Sequence, residues 1–248
     1  MNEYLSMIIL GLAQGLTEFL PVSSSGHLVL LERAGVGEQG VLNNLILHCA
    51  TLLVVLIAYR KRIIWIIKHP TSEEGRFLLV ASVPTAICAG LIRYLLPDAT
   101  DFLPLFFMTT SALLLLPSVW KETKFDFGKK ATLKALFVGA MQGAACFPGV
   151  SRSGATATAL LLSGCPKEKA SEYSFLLSVP IILGSSAAEL VTSSQSTLSL
   201  AVIPGFIVAF ISGTFSLKLF SGVLEKGRLY LFSGYTFVIG TVAFFLLF

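Results

Sequence analysis

Charge is what this sequence holds least of. Asp, Glu, Lys and Arg together make 13% of its 248 residues, about half the roughly 25% of a soluble domain. A chain so poor in charge cannot cover a water-facing surface, and a soluble globular fold is excluded. Cysteine is scarce as well: Cys49, Cys88, Cys146 and Cys165 stand singly within or beside apolar segments, with no CxxC pair. That argues against a disulfide framework or a thiolate zinc site. No linker or low-complexity tract divides the chain, so residues 1–248 read as a single membrane domain. The opening stretch MNEYLSMIILGLAQGLTEFL lacks the basic n-region and small-x-small cleavage site of a signal peptide. It carries Gln14 and Glu18 inside its apolar run, so it is expected to remain as structure. The formal net charge of +4 is spread over short connections, and no nucleic-acid partner is expected.

What the chain has in abundance is apolar sequence, 54% of it, with a mean hydropathy of +0.81. A spanning helix needs about 20 largely apolar residues to cross about 30 Å of hydrocarbon. Six stretches meet or nearly meet that need: 41–59, 77–96, 102–119, 171–191, 198–218 and 229–248. Regions 4–31 and 133–163 differ, each holding an apolar run, a break and a shorter apolar run. The breaks read PVSSSGH (21–27) and PGVSRSG (148–154). Irregular backbone at membrane depth must be buried in protein or line a cavity, which predicts two re-entrant broken-helix pairs. Basic residues test the layout. Connections 60–76, 120–134, 164–170 and 218–228 hold 15 of the 18, against Arg33 and Arg93 on the other side. The positive-inside rule puts the four connections in the cytoplasm and both termini outside.

The sequence also repeats itself. At a shift of 128, GLAQGLTEFLPVSSSG (11–26) lies over GAMQGAACFPGVSRSG (139–154) with 8 of 16 positions identical. Each repeat, about 1–120 and about 130–248, holds one broken pair and three spans, and an odd number of spans inverts the second copy. The expected fold is therefore an all-α polytopic membrane protein, with six transmembrane helices plus two re-entrant pairs in two inverted-topology repeats. Transporters use this design, so layout alone does not choose between transport and catalysis.

The second helix of each pair starts at a break, and its amides and positive dipole end favour an anion. Ser23, Ser24, Ser25 and Gly26 begin one; Ser151, Ser153, Gly154 and Thr156 begin the other. Capping and close backbone packing explain the same residue types, and both readings stay open. Arg152 is different, because a charge at membrane depth is costly and marks function; its planar fork suits a phosphate. Gln14 and Glu18 share a helix face. Balancing Arg152, acting as a general base and holding a divalent cation are all open to Glu18. His27 follows Ser24 by three residues, a spacing that brings an imidazole near a hydroxyl as a nucleophilic serine requires. His48 reads as a hydrogen-bonded core histidine, His69 as a loop residue, and Glu189 as reaching the interface. The 19 Phe read as lipid-facing or packing surface.

Gln14-x-x-x-Glu18 followed by FLPVSSSGH (19–27) resembles the first signature of the undecaprenyl-diphosphate phosphatase family, known also for bacitracin resistance. PGVSRSGAT (148–156) resembles its second, and the similarity runs on through SFLLSVP (174–180). The resemblance implies a multi-pass enzyme of the plasma (inner) membrane. Such an enzyme removes the terminal phosphate of a C55 isoprenyl diphosphate and so returns the lipid monophosphate carrier of cell-wall synthesis. Carried over by motif, Gln14, Glu18, Ser24, His27 and Arg152 are the important positions, supported by Ser23, Ser151, Ser153 and Thr156. Many members carry Glu where this chain has Gln14; a Gln orients a ligand or water but takes no proton, which puts the weight on Glu18. Lipid phosphatases with PSGH and SR-x5-H-x3-D motifs are excluded, since no histidine follows His69.

The expected chemistry is phosphoryl transfer with the diphosphate held by Arg152 and helix-end amides. Ser24 is the expected nucleophile, with His27 or Glu18 taking its proton; the rival has Glu18 activating water. Mg²⁺ or Ca²⁺ is expected to bridge diphosphate oxygens, with Glu18 as the protein's ligand. The alternative is a polyprenyl-phosphate transporter or flippase. A homo-oligomer is compatible with either.

Overall fold

A computed structural model describes residues 2–37, 40–96, 99–119, 131–192 and 199–248. Lys121, Lys124, Lys129 and Lys130, and the side chains of Arg93 and Glu189, lie outside what it describes. Among the described residues there are eleven α-helices and no strand. They are α1 (Glu3–Phe19), α2 (Ser24–Arg33), α3 (Val41–Ala58), α4 (Arg60–Lys68), α5 (Glu73–Leu95), α6 (Leu103–Val119), α7 (Ala131–Ala144), α8 (Arg152–Leu162), α9 (Lys167–Thr192), α10 (Val202–Glu225) and α11 (Tyr230–Leu247).

By length and composition four described helical stretches can cross a membrane: Glu73–Ile92, Ala99–Val119, Val202–Glu225 and Tyr230–Leu247. The pair α3 and α4, bent by 77°, makes a fifth if taken as one span. Helix α9 is long enough but less apolar. It opens on Lys167-Glu168-Lys169 and carries Ser171, Ser174 and Ser178, all three serines buried. Its packing against α3, α5, α8 and α10 explains this, because a helix surrounded by protein does not need a lipid-compatible surface.

The predicted breaks are present. Helices α1, α2, α7 and α8 rise about 1.5 Å per residue and so reach about 15–26 Å each, short of the roughly 30 Å hydrocarbon thickness. The chain leaves helix at 20–23 and again at 145–151, and the later half of each motif already forms the next helix. Ser23 Oγ caps α2 by accepting from the Gly26 amide at 3.3 Å, and Ser151 Oγ caps α8 by accepting from the Gly154 amide at 3.1 Å. The 60–76 connection differs from expectation. Its first part is the helix α4, RKRIIWIIK, whose Ile64 and Ile67 are exposed.

Small residues let the helices carrying the breaks sit close to their neighbours, as helix pairs in membranes require. Helix α1 runs along α10, and α7 along α5. A Cβ on Gly11 would run into the Gly205 carbonyl, and one on Gly139 into the Ala81 carbonyl. Hydroxyls tie the same seams: Ser216 Oγ donates to the Gly15 carbonyl at 2.6 Å, and Thr85 Oγ1 to the Gly139 carbonyl at 2.9 Å. Gly11→Ala is therefore expected to cost about 1–3 kcal/mol through overpacking, since the atom in the way is backbone. Gly222→Ala, where a Cβ meets open space, is expected to match or exceed the wild type. Thermal midpoints in detergent check the pair; equal midpoints would show that the seam is loose.

Candidate functional site

Glu18 sits in the last turn of α1, with its side chain 2% exposed, and every neighbour it has is polar or basic. Oε1 is ion-paired with Arg152 Nη2. Oε2 accepts from Ser24 Oγ at 2.6 Å and from Gln14 Nε2 at 3.1 Å. Gln14 lies one turn earlier on the same face and is fully buried. Its amide nitrogen also donates to His48 Nδ1 at 2.9 Å, and His48 Nδ1 is 3.7 Å from Glu18 Oε2. The Gln14 carbonyl oxygen is buried without a partner. Arg152 and His48 are each 23% exposed at the side chain, so the cluster opens on their side. Beneath it, Phe19 packs edge-on against Phe175 at 5.3 Å, and Phe175 against Phe220 at 5.4 Å. That apolar floor closes the cluster from below.

The two breaks are bonded to each other. Ser23, at φ 68°, is a non-glycine residue in the left-handed region, a strain that persists only where the surroundings over-determine it. Its Oγ accepts from the Gly149 amide at 3.0 Å as well as from Gly26. In return, Ser153 Oγ donates to the Leu20 carbonyl at 3.2 Å. Thr110 of α6 accepts from the Ser151 amide at 2.9 Å and donates to the Gly149 carbonyl at 2.8 Å. This lattice sets Ser24 and Arg152, the first residues of α2 and α8, on one carboxylate. First-turn amides have no intrahelical acceptor, and those of Ser24, Ser25, Arg152 and Ser153 belong to that class. With the guanidinium they make a place for an anion.

Of the residues the sequence singled out, Gln14, Glu18, Ser24 and Arg152 therefore meet. Ser23, Gly26, Ser151, Ser153 and Gly154 serve the caps and the cross-links, and Ser25 Oγ lies 3.4 Å from Ser23 Oγ. Thr156 faces elsewhere: it donates to the Gln142 carbonyl at 3.2 Å and to the Arg152 carbonyl at 2.8 Å. His27 does not face Ser24. Its Nδ1 donates to the Ser23 carbonyl at 2.7 Å, and its Nε2 accepts from the Tyr235 hydroxyl at 2.8 Å. The expected Ser24–His27 pairing is not made, because α2 turns the imidazole toward α11. The residue that sequence reasoning missed is His48. Its signal was present: Asn44 and His48, four apart, form a polar stripe on the apolar helix α3. Polar residues in such helices face the protein interior.

Among the described residues no group of three or more His, Cys, Asp or Glu side chains is placed to hold a metal ion. The hard oxygens on offer are the Glu18 carboxylate and the unpartnered Gln14 carbonyl.

The sequence profile of a family described as Bacitracin resistance protein BacA matches residues 7–242. The chain is 39% identical over 253 residues to a protein of Carboxydothermus hydrogenoformans named undecaprenyl-diphosphatase, covering 97% of this chain and 95% of that one. Proteins with the same name from Korarchaeum cryptofilum and Thermosipho africanus are 34% and 37% identical, each across 96% of this chain and 97% or more of their own.

Proposed function

Because the chain belongs to the BacA family of bacitracin resistance proteins, we propose that it is an undecaprenyl-diphosphatase. It hydrolyses the lipid diphosphate to the monophosphate and inorganic phosphate, and so recycles the cell-wall lipid carrier. The observation that carries the reading is the convergence of Glu18, Ser24 and Arg152 where the two breaks meet. A buried carboxylate on a hydroxyl, beside an arginine and free helix-start amides, is what phosphoryl transfer needs. It supplies a base, a nucleophile and positive charge for the transferring group.

In the proposed reaction Arg152 leaves Glu18 to bind the diphosphate, with the amides of Ser24, Ser25 and Ser153 holding its terminal oxygens. Glu18 takes the Ser24 proton, Oγ attacks the terminal phosphorus, and the bond from phosphorus to the bridging oxygen breaks. The lipid monophosphate leaves and phosphoserine remains. Water, with its proton taken by the same carboxylate, then cleaves phosphoserine to restore Ser24 and release phosphate. Glu18 is assigned as the base, since it and not His27 receives the Ser24 hydroxyl. A Mg²⁺ or Ca²⁺ ion bound with the diphosphate would neutralise its charge, held on the protein side by Glu18 and the Gln14 carbonyl oxygen. Those two oxygens fall short of the six or more that such a cation takes, which is consistent with an ion that arrives with its substrate.

The chain is read as a multi-pass protein of the plasma membrane with six spans, both termini outside and two inverted repeats. In support, α1, α2, α3, α5 and α6 each have a counterpart that starts 126 to 129 residues later, namely α7, α8, α9, α10 and α11. The packing exchanges accordingly: α1 lies on α10 and α7 on α5, while α3 meets α9 and α6 meets α11. The same layout favours a second reading, transport of a polyprenyl-phosphate lipid.

Phosphate release from a polyprenyl diphosphate by purified protein, with Mg²⁺, with Ca²⁺ and with neither, tests both. Cation-dependent release is expected. Folded protein that binds the lipid and releases no phosphate would overturn the hydrolase in favour of the transporter.

A further inference from the structure

The start of α4 gathers three cations, of which one is fully engaged. Arg62 is ion-paired with Glu74 of α5 and bonds Glu172 of α9 through Nε at 2.8 Å. Its guanidinium also lies 4.8 Å over the Trp65 ring. Arg60 and Lys61 are exposed. Among the described residues neither has a carboxylate partner, and Arg60 Nη1 donates to the Ile57 carbonyl at 3.1 Å. With Tyr59, Trp65 and Glu172 these three cations line a cavity of about 560 Å³ in the elbow between α3 and α4. No member of the Glu18 cluster borders it.

We infer that this elbow binds the phosphate headgroup of an anionic membrane lipid. Charge complementarity is the first argument. Three cations face one carboxylate across the cavity, and that carboxylate is spent on Arg62. Place is the second. The 77° bend turns α4 away from the axis of α3, toward the plane in which headgroups lie. Ile64, Trp65 and Ile67, exposed by 52%, 38% and 72%, give α4 the apolar surface of an interfacial helix, with tryptophan at headgroup level. A free phosphate would have no use for that surface, whereas a lipid would set its acyl chains against it. The third argument is that α4 is an addition to the repeat. No other described helix matches it, and the corresponding stretch 193–201 of the second half contains no Lys or Arg. The inference does not depend on the hydrolase reading, since the site is separate.

Trp65 reports on its own neighbours. In a Trp120→Phe background it is the one tryptophan left of two. The full chain is reconstituted into phosphatidylcholine vesicles containing brominated phosphatidylglycerol or, at the same fraction, brominated phosphatidylcholine. The expected result is stronger quenching by the brominated anionic lipid. Arg60→Gln with Lys61→Gln should weaken the preference by about tenfold, from the loss of two interfacial cations. Lys68→Gln, at the far end of α4, should leave it in place. Equal quenching by the two lipids overturns the proposal. So does an equal loss in Lys68→Gln, which would mean diffuse attraction to a charged surface. Removal of the preference by inorganic phosphate, but not by chloride at matched ionic strength, would assign the elbow to a free anion and overturn the lipid.

Discussion

Arg152→Ala is expected to lower phosphate release by about 10³- to 10⁵-fold, the range for losing an arginine that stabilises a transferring phosphoryl group. It should also destabilise the protein. Glu18 is 2% exposed at its side chain and loses its ion-pair partner, and a buried charge left unpaired costs about 3–5 kcal/mol. The two effects separate in a second variant. Glu18→Gln keeps a side chain that still accepts from Ser24, and removes the charge. The double variant Arg152→Ala/Glu18→Gln is therefore expected to recover most of the lost thermal stability and none of the activity. Thermal midpoints and single-turnover phosphate release from the two single variants and the double check this. Release within tenfold of wild type in Arg152→Ala would remove Arg152 from the site. Equal destabilisation of the single and double variants would show that the pair is not what makes Arg152 costly to lose.

How much of this was legible beforehand depended on whether the signal was local. The breaks were, because Pro, Gly and Ser clustered inside apolar runs have no place in a continuous membrane helix. Gln14 and Glu18 were legible as a pair because four residues make one helical turn. The repeat was legible as identity at a shift of 128, and it also exposes the asymmetry of the site: position 146, the counterpart of Glu18, is cysteine, and the counterpart of Ser24 is Arg152. The structure turns that asymmetry into chemistry by bringing acid and hydroxyl from one repeat against the base of the other.

What local spacing missed was decided by packing. Ser24 and His27 are close along α2, but Tyr235, 208 residues away, takes the imidazole. Thr156 begins the helix that carries Arg152, yet Gln142 on α7 offers a nearer acceptor than anything in the cluster. His48 read as a core histidine, and it is hydrogen-bonded; nothing in the sequence of α3 alone says that its partner is Gln14. Helix α4 was passed over for another reason. Arg60, Lys61, Arg62 and Lys68 read as a charged connection, but isoleucines at 63, 64, 66 and 67 fit a short interfacial helix equally well.

Ser24→Ala is expected to abolish phosphate release more severely than the loss of a hydrogen bond can explain. If the hydroxyl only donated to Glu18, its removal would cost what a bond to a charged group is worth, about 1.5–3 kcal/mol. That corresponds to a slowing of roughly 10- to 150-fold, with Glu18 still free to activate water. A nucleophile cannot be replaced that way, so a loss beyond about 10³-fold separates the two roles. Ser24→Cys adds a qualitative readout, since a thiol retains nucleophilicity where alanine has none. Quenched single turnovers of the wild type should trap phosphate on the peptide that contains Ser24, 2.6 Å from the carboxylate that takes its proton. Hydrolysis that survives in Ser24→Ala within about 150-fold, with no trapped phosphoserine, would transfer the attack to water and leave Glu18 as its base. Glu18 is thus required on either route, and the size of the Ser24→Ala defect reveals which oxygen it activates.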